Sequence, residues 1–132
     1  MEQSDRRKGF EDLAVFKLAY RWSLEVHRAS LTFPSVEQYG LAEQIRGASK
    51  GICANLAEGF GKQAASGREF RRFVAMAMGS ADEMRVWARY CLDLGYIDQA
   101  TWQQWRDGYQ EVARMLHGLH RSIGQAATPS DI

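Results

Sequence analysis

Proline is nearly missing from this chain. Its 132 residues contain two, Pro34 and Pro129, so the span from Ser35 to Thr128 runs without one. A residue that stops helices is thus withheld from most of the chain, which favours long helices over many short strands. Cysteine is scarce as well. Cys53 and Cys91 form no CxxC pair and sit in apolar surroundings, which excludes a disulfide framework and is expected of reduced, buried thiols in a cytoplasmic protein. No apolar run approaches the roughly 20 residues of a membrane span, and MEQSDRRKGFEDL at the N-terminus lacks the apolar centre of a signal peptide.

The pairings that catalysis needs are missing too. A di-iron bundle carries Glu-x-x-His, but the residues three before His27, His117 and His120 are Leu24, Arg114 and His117. His117-x-x-His120 places two imidazoles along one helix face with no carboxylate spaced to complete a metal site. No Ser/His/Asp or Cys/His arrangement is present. The reading is a protein that is not an enzyme, with no catalytic residue, no metal and no cofactor.

What is present is helical periodicity over residues 10–123, between polar tails at 1–9 and 124–132. A first helix runs from about Phe10 to Ser30 with Leu13, Phe16, Tyr20, Leu24 and His27 on its stripe, and Pro34 forbids its continuation. A second, from Glu37 or Gly40 to Phe60, has the seam Leu41, Ile45, Ala48, Ile52, Asn55, Gly59. The third opens on Ser66-Gly-Arg-Glu69, a capping box, presents Phe70, Phe73, Ala77, Ser80, Met84, Trp87 and Cys91, and stops at Gly95. The fourth enters at Asp98 and carries Trp102, Trp105, Tyr109, Val112, Leu116, Leu119 and Ile123. Four such segments with short connections predict an all-α, up-down-up-down antiparallel four-helix bundle in a single domain.

The stretch ICANLAEGFGK, residues 52–62, holds an amide, a carboxylate, two glycines and a lysine. A phosphate loop needs GxxxxGK followed by Ser or Thr, between a strand and a helix. Here Gln63 follows Lys62, Leu56 stands where the first glycine belongs, and the stretch ends a helix, the pole that repels phosphate. Gly59 and Gly61 read as termination residues and Lys62 as a cation suited to the last carbonyls. Asn55 is a polar residue on a core seam, and Ser80 is likewise one on the seam of helix 3. The expectation is a structural polar core in which Asn55 sets register by a hydrogen bond across the bundle or to an exposed backbone group, with a ligand role as the alternative.

Two surface signals remain. The net charge of +1 hides an asymmetry: residues 44–72 hold Arg46, Lys50, Lys62, Arg68, Arg71 and Arg72 against Glu58 and Glu69. Those six cations form a candidate patch for phosphates of RNA or DNA, against the plainer reading of a solvated helix face. The second signal is apolar residues outside the seams, Val15, Trp22 and Val26 on helix 1 and Val74, Met76, Met78, Val86 and Tyr90 on helix 3. A second stripe suggests burial against another copy of the chain, the alternative being one wide stripe in a thick bundle.

Phe10-Glu-Asp-Leu13 with Ala19, Tyr39-Gly-Leu41, Gln44-Ile-Arg46, Ala54-Asn-Leu-Ala-Glu-Gly59, Glu69-Phe70, Phe73, Gly79-Ser80 with Glu83, Asp93-Leu-Gly-Tyr96 and Met115-Leu-His-Gly-Leu119 together resemble a known family. It is the family of bacterial four-helix-bundle proteins encoded in intervening sequences of large-subunit ribosomal RNA genes. The resemblance spans residues 10–123 and implies a ring-like homopentamer. A related branch, the accessory protein of diversity-generating retroelements, has a basic surface and binds nucleic acid and a reverse transcriptase, which implies such partners by analogy. Cys53 stands where the family commonly has proline. Two other functional classes stay open: an adaptor oligomer that binds a protein without nucleic acid, and a small-molecule or metal site in a bundle or ring cavity.

Overall fold

The computed structural model describes residues 9–62 and 66–126, together with the side chains of those up to Ile123. Of the expected tails at 1–9 and 124–132, residues 1–8 and 127–132 lie outside the described residues. Four helices follow one another, α1 (Ala14–Ser30), α2 (Leu41–Gly61), α3 (Gly67–Asp93) and α4 (Gln99–Ala126), with no strand among the described residues. Each helix packs antiparallel on the next and α1 closes on α4, so the expected bundle is the observed one. α4 continues to Ala126, past the predicted tail boundary.

The helix ends follow local chemistry. Phe10–Asp12 is a single 3-10 turn, in which Asp12 Oδ2 accepts the Gly9 N–H at 3.1 Å. Leu13 is extended, with ψ 127°, so the first α-helix starts at Ala14 rather than at Phe10. Ser66 accepts the Glu69 N–H at 3.2 Å, but the Glu69 carboxylate turns to Arg72, so half of the predicted capping box forms. Asp98 Oδ1 accepts the Thr101 N–H at 2.8 Å and starts α4 as predicted. Gly95 takes φ +81°, and the N–H groups of Gly95 and Tyr96 return to the carbonyls of Leu92 and Cys91, a glycine-terminated helix end. At the same end, Glu37 ties three segments: Oε1 accepts the Leu41 N–H at 3.1 Å and Oε2 the Tyr96 hydroxyl at 2.8 Å.

The predicted seams of α3 and α4 are in the core, with Trp105, Tyr109, Val112, Leu116 and Met84 buried, joined by Val74, Ala81 and Ala88. α1 is rotated relative to the expectation. Its buried residues are Val15, Ala19, Ser23, Val26 and Ser30, whereas Tyr20 is 50% exposed. Val15 and Val26, assigned above to self-association together with Val74 of α3, are core like it, and Trp22 packs half-buried beside them. The reason lies in α4: Gly108 leaves a slot that the Trp22 indole fills, and a methyl group there would come within 2.2 Å of the ring.

Glycine plays the same part between α2 and α3. Gly51, Asn55 and Gly59 recur every four residues on one ridge of α2. A Cβ on Gly51 would lie 3.0 Å from Ser80 Oγ, and one on Gly59 would lie 2.6 Å from Phe73 Cβ. Gly59 is thus a close-packing residue inside the helix, not the terminator expected above. Asn55 is half-buried, and its Nδ2 donates to the Gly51 carbonyl at 2.9 Å. The amide folds back on its own helix and, among the described residues, makes no bond across the bundle, so the close approach of α2 and α3 rests on the absence of side chains beside it.

Gly59→Ala should lower the free energy of unfolding by about 1–3 kcal/mol, more than offsetting the roughly 1 kcal/mol that alanine gains within a helix. Gly61→Ala, whose methyl meets nothing within 4 Å, should be neutral or slightly stabilising. Urea midpoints of the two variants check the pair, and equal midpoints would refute the packing role.

Candidate nucleic-acid interface

The structure separates the six candidate cations into two groups. Lys62, Arg68, Arg71 and Arg72 stand at the end of the bundle where α2 stops and α3 begins. Lys62 is exposed and caps α2, its carbonyl accepting the Ser66 N–H at 3.0 Å. Arg68 is exposed. Arg71 reaches α4, where its Nε donates to the His120 carbonyl at 3.4 Å. Arg72 pairs with Glu69 at 3.1 Å and lies over the Phe73 ring, 4.7 Å from its centroid. The antiparallel return of α4 adds His117, His120 and Arg121 to this end, where the sequence reading had weighed the two histidines as metal ligands.

Arg46 and Lys50 lie further along, between α1 and α2. Arg46 is half-buried and fully engaged: one nitrogen donates to Ser30 Oγ at 2.8 Å and to Gln38 Oε1 at 3.3 Å, the other to the Gln38 carbonyl at 2.9 Å. Gln38 in turn donates to the carbonyls of Ser30 and Phe33. The Arg46 guanidinium thus holds the α1–α2 connection. Lys50 is exposed and lies 3.1 Å from His27 Nδ1. For the ammonium to donate there, the imidazole must be neutral with its proton on Nε2.

Charge pairing differs between the faces. On α3 and α4, arginines are matched with carboxylates of their own helix: Arg85 with Asp82, Arg89 with Asp93, Arg106 with Asp107 and Arg114 with Glu111. Among the described residues no such pair involves Lys17, Arg21, Arg28, Lys50, Lys62, Arg68 or Arg71. Among the described residues, cations without such a pair therefore outnumber the likewise unpaired Glu25, Glu43 and Glu58 on α1, α2 and the first turn of α3.

Other chemistry finds little footing. Burial pushes the Cys53 thiol up to about 11 and the Cys91 thiol up to about 12, so neither is a thiolate near neutral pH. Among the described residues no cluster of three or more His, Cys, Asp or Glu is placed to hold a metal. A hollow of about 130 Å³ between α3 and α4 is lined by Met84, Ala88, Trp102, Trp105 and Tyr109, with Arg89 and Arg106 over the Trp102 ring.

His27 is held below its ordinary value of 6.5 by burial first, then by Lys50, Arg46 and Arg28. His120 is lowered by burial, Arg71 and His117. A lowered folded-state value means that the folded chain binds fewer protons than the unfolded one just below pH 6.5. Stability from both groups is present above that pH and is lost as pH falls through the folded values. The urea midpoint should therefore drop on acidification below pH 6.5, with a shallower drop in His27→Gln, and an identical pH profile for that variant would refute the coupling. Arg46→Ala should lower stability by about 1–3 kcal/mol by leaving the Ser30–Gln38 network unpaired, with Arg46→Lys failing to restore it.

No curated protein matches the chain. Among solved structures, a protein of unknown function from the S23 ribosomal protein family of Bacteroides thetaiotaomicron has the same fold, with a TM-score of 0.74 and 18% identity over 84% of this chain and 98% of that one. The family described as 23S rRNA-intervening sequence protein matches residues 11–118, and with the four-helix architecture in place the chain belongs to that family.

Proposed function

We propose that the chain is a non-enzymatic, self-associating cytoplasmic protein that binds RNA or DNA through the basic end formed by Lys62, Arg68, Arg71 and Arg72. The observation that carries this reading is the gathering of cations from three helices at one pole, where Glu69 is already matched to Arg72. Phosphates neutralised there release counterions, which gives an affinity that falls steeply with salt. Arg46 has no part in this interface, and Lys50 belongs to a separate face.

Self-association rests on α3, where Met76, Val86 and Tyr90 are 44%, 51% and 54% exposed, and the pentamer is the stoichiometry that the family resemblance implies. The removal of Val15, Trp22 and Val26 to the core leaves this stripe as its support. A second reading uses the same stripe, extended by the 53% exposed Leu94, to dock a different protein without nucleic acid.

The protein should be retained on heparin and released by salt. Reversal of Arg68, Arg71 and Arg72 to Glu should abolish binding to short RNA and DNA duplexes while the helical signal stays unchanged. Absence of wild-type binding at low salt would end the nucleic-acid reading in favour of the adaptor. In light scattering, a single species of 15.0 kDa at micromolar concentration would end self-association.

A further inference from the structure

The rotation of α1 leaves aromatic residues on the surface, and their surroundings point to a ligand. Phe10 meets Phe16 edge-on at 5.0 Å between centroids, and Phe16 stacks on Tyr20 at 5.8 Å with the planes 10° apart. The stack ends at Tyr20, which is half exposed. Beside it lies an open hollow of about 430 Å³ lined by Glu11, Phe16, Lys17 and Tyr20.

The register of α1 against α2 locates this stack. Ser30 meets Arg46, His27 meets Lys50, and the Ser23 hydroxyl lies beside Cys53, so each step down α1 is matched by a step up in number on α2. Tyr20 therefore lies level with Ala57 and Phe16 with Phe60 and Gly61, between Lys50 and the basic end. Small residues, Ala54, Ala57 and Gly61, stand on α2 along this stretch, and Tyr20 beside them is half exposed. Lys17, Arg21 and Arg28 are exposed on α1 and, with Lys50, form no ion pair among the described residues.

We infer that the α1/α2 face binds a single-stranded polynucleotide, with a base stacked on Tyr20 and the flanking phosphates on Lys17, Arg28 and Lys50. This rests on the nucleic-acid reading and names the form of its ligand. Aromatic planes with surrounding cations suit an unpaired strand, whose bases are free to stack, whereas a duplex keeps its base faces covered. Glu11 sharpens the assignment: a carboxylate inside the hollow repels phosphate and accepts a hydrogen bond from an exocyclic amine, so the base and not the backbone enters. The contacts use ring faces and phosphates, chemistry that DNA and RNA strands share.

Fluorescence anisotropy with labelled dC12, C12 and a 12-base-pair duplex at low salt tests this, since cytosine carries the exocyclic amine whose hydrogen bond Glu11 would accept. Both single strands should bind at least tenfold more tightly than the duplex. Tyr20→Ala should weaken single-strand binding about tenfold, consistent with stacking worth about 1–3 kcal/mol per base, and leave duplex binding unchanged. Tyr20→Trp should retain affinity, which separates stacking from a folding defect, and circular dichroism confirms that Tyr20→Ala keeps its helices. Equal binding of duplex and single strand together with an unaffected Tyr20→Ala would overturn the inference and leave the basic end as the interface. Absence of binding to all three probes would overturn the nucleic-acid reading and this inference with it.

Discussion

The close approach of α2 and α3 is the constraint on which the other placements depend. Two helices come near enough for a methyl on Gly59 to meet Phe73 only because the ridge Gly51–Asn55–Gly59 presents no bulky side chain. Asn55 keeps that ridge low by bonding to the Gly51 carbonyl rather than reaching outward. With α2 and α3 locked, the connection at one end brings Glu37 to Tyr96, and the turn at the other gathers Lys62, Arg68 and Arg71. The same device recurs where α4 receives the Trp22 indole over Gly108. Glycine here acts through what it leaves open to its neighbours, not through backbone freedom, since Gly95 has the one left-handed backbone among the described residues.

Architecture was legible because the hydrophobic spacing of α4 admits one buried face and that of α3 carries Phe70, Phe73, Ala77, Met84 and Cys91 into the core, although Val74 is buried beside them. The start of α4 at Asp98 and the stop of α3 at Gly95 were legible for a similar reason, since a cap is written in two or three adjacent residues. α1 was ambiguous. Leu13–Phe16–Tyr20–Leu24 and Val15–Ala19–Trp22–Val26 are both regular stripes, and periodicity alone does not rank them. The deciding contact, an indole seated on a glycine of a helix 86 residues away, is a tertiary fact. Gly108 inside an otherwise strong helix was the available signal.

The candidate site was legible in kind and not in distribution. Counting Lys and Arg located an excess of positive charge but could not separate engaged guanidiniums from free ones. Arg46 and Lys50 are four residues apart in sequence, yet one is half-buried on Ser30 and Gln38 while the other stands in solvent. Nothing local distinguishes them, because the acceptors for Arg46 come from the end of α1 and the connection after it. His27 shows the converse, a residue expected on a core stripe that instead faces a lysine and carries the pH sensitivity of that face.

The small side chains that α1 buries have a mechanical consequence. Its buried residues are Val15, Ala19, Ser23, Val26 and Ser30, with Phe16, Leu18 and Trp22 only partly buried against the core, whereas α3 and α4 contribute the buried Phe70, Phe73, Met84, Trp105, Tyr109 and Leu116. Burial free energy scales with apolar area, so α1 is the element that detaches most readily, by local opening rather than global unfolding. The helix with the exposed aromatic stack is thus the one that amide exchange should find least protected, with its lower end tethered through the 3-10 turn and its upper end by the grip of Arg46 on Ser30.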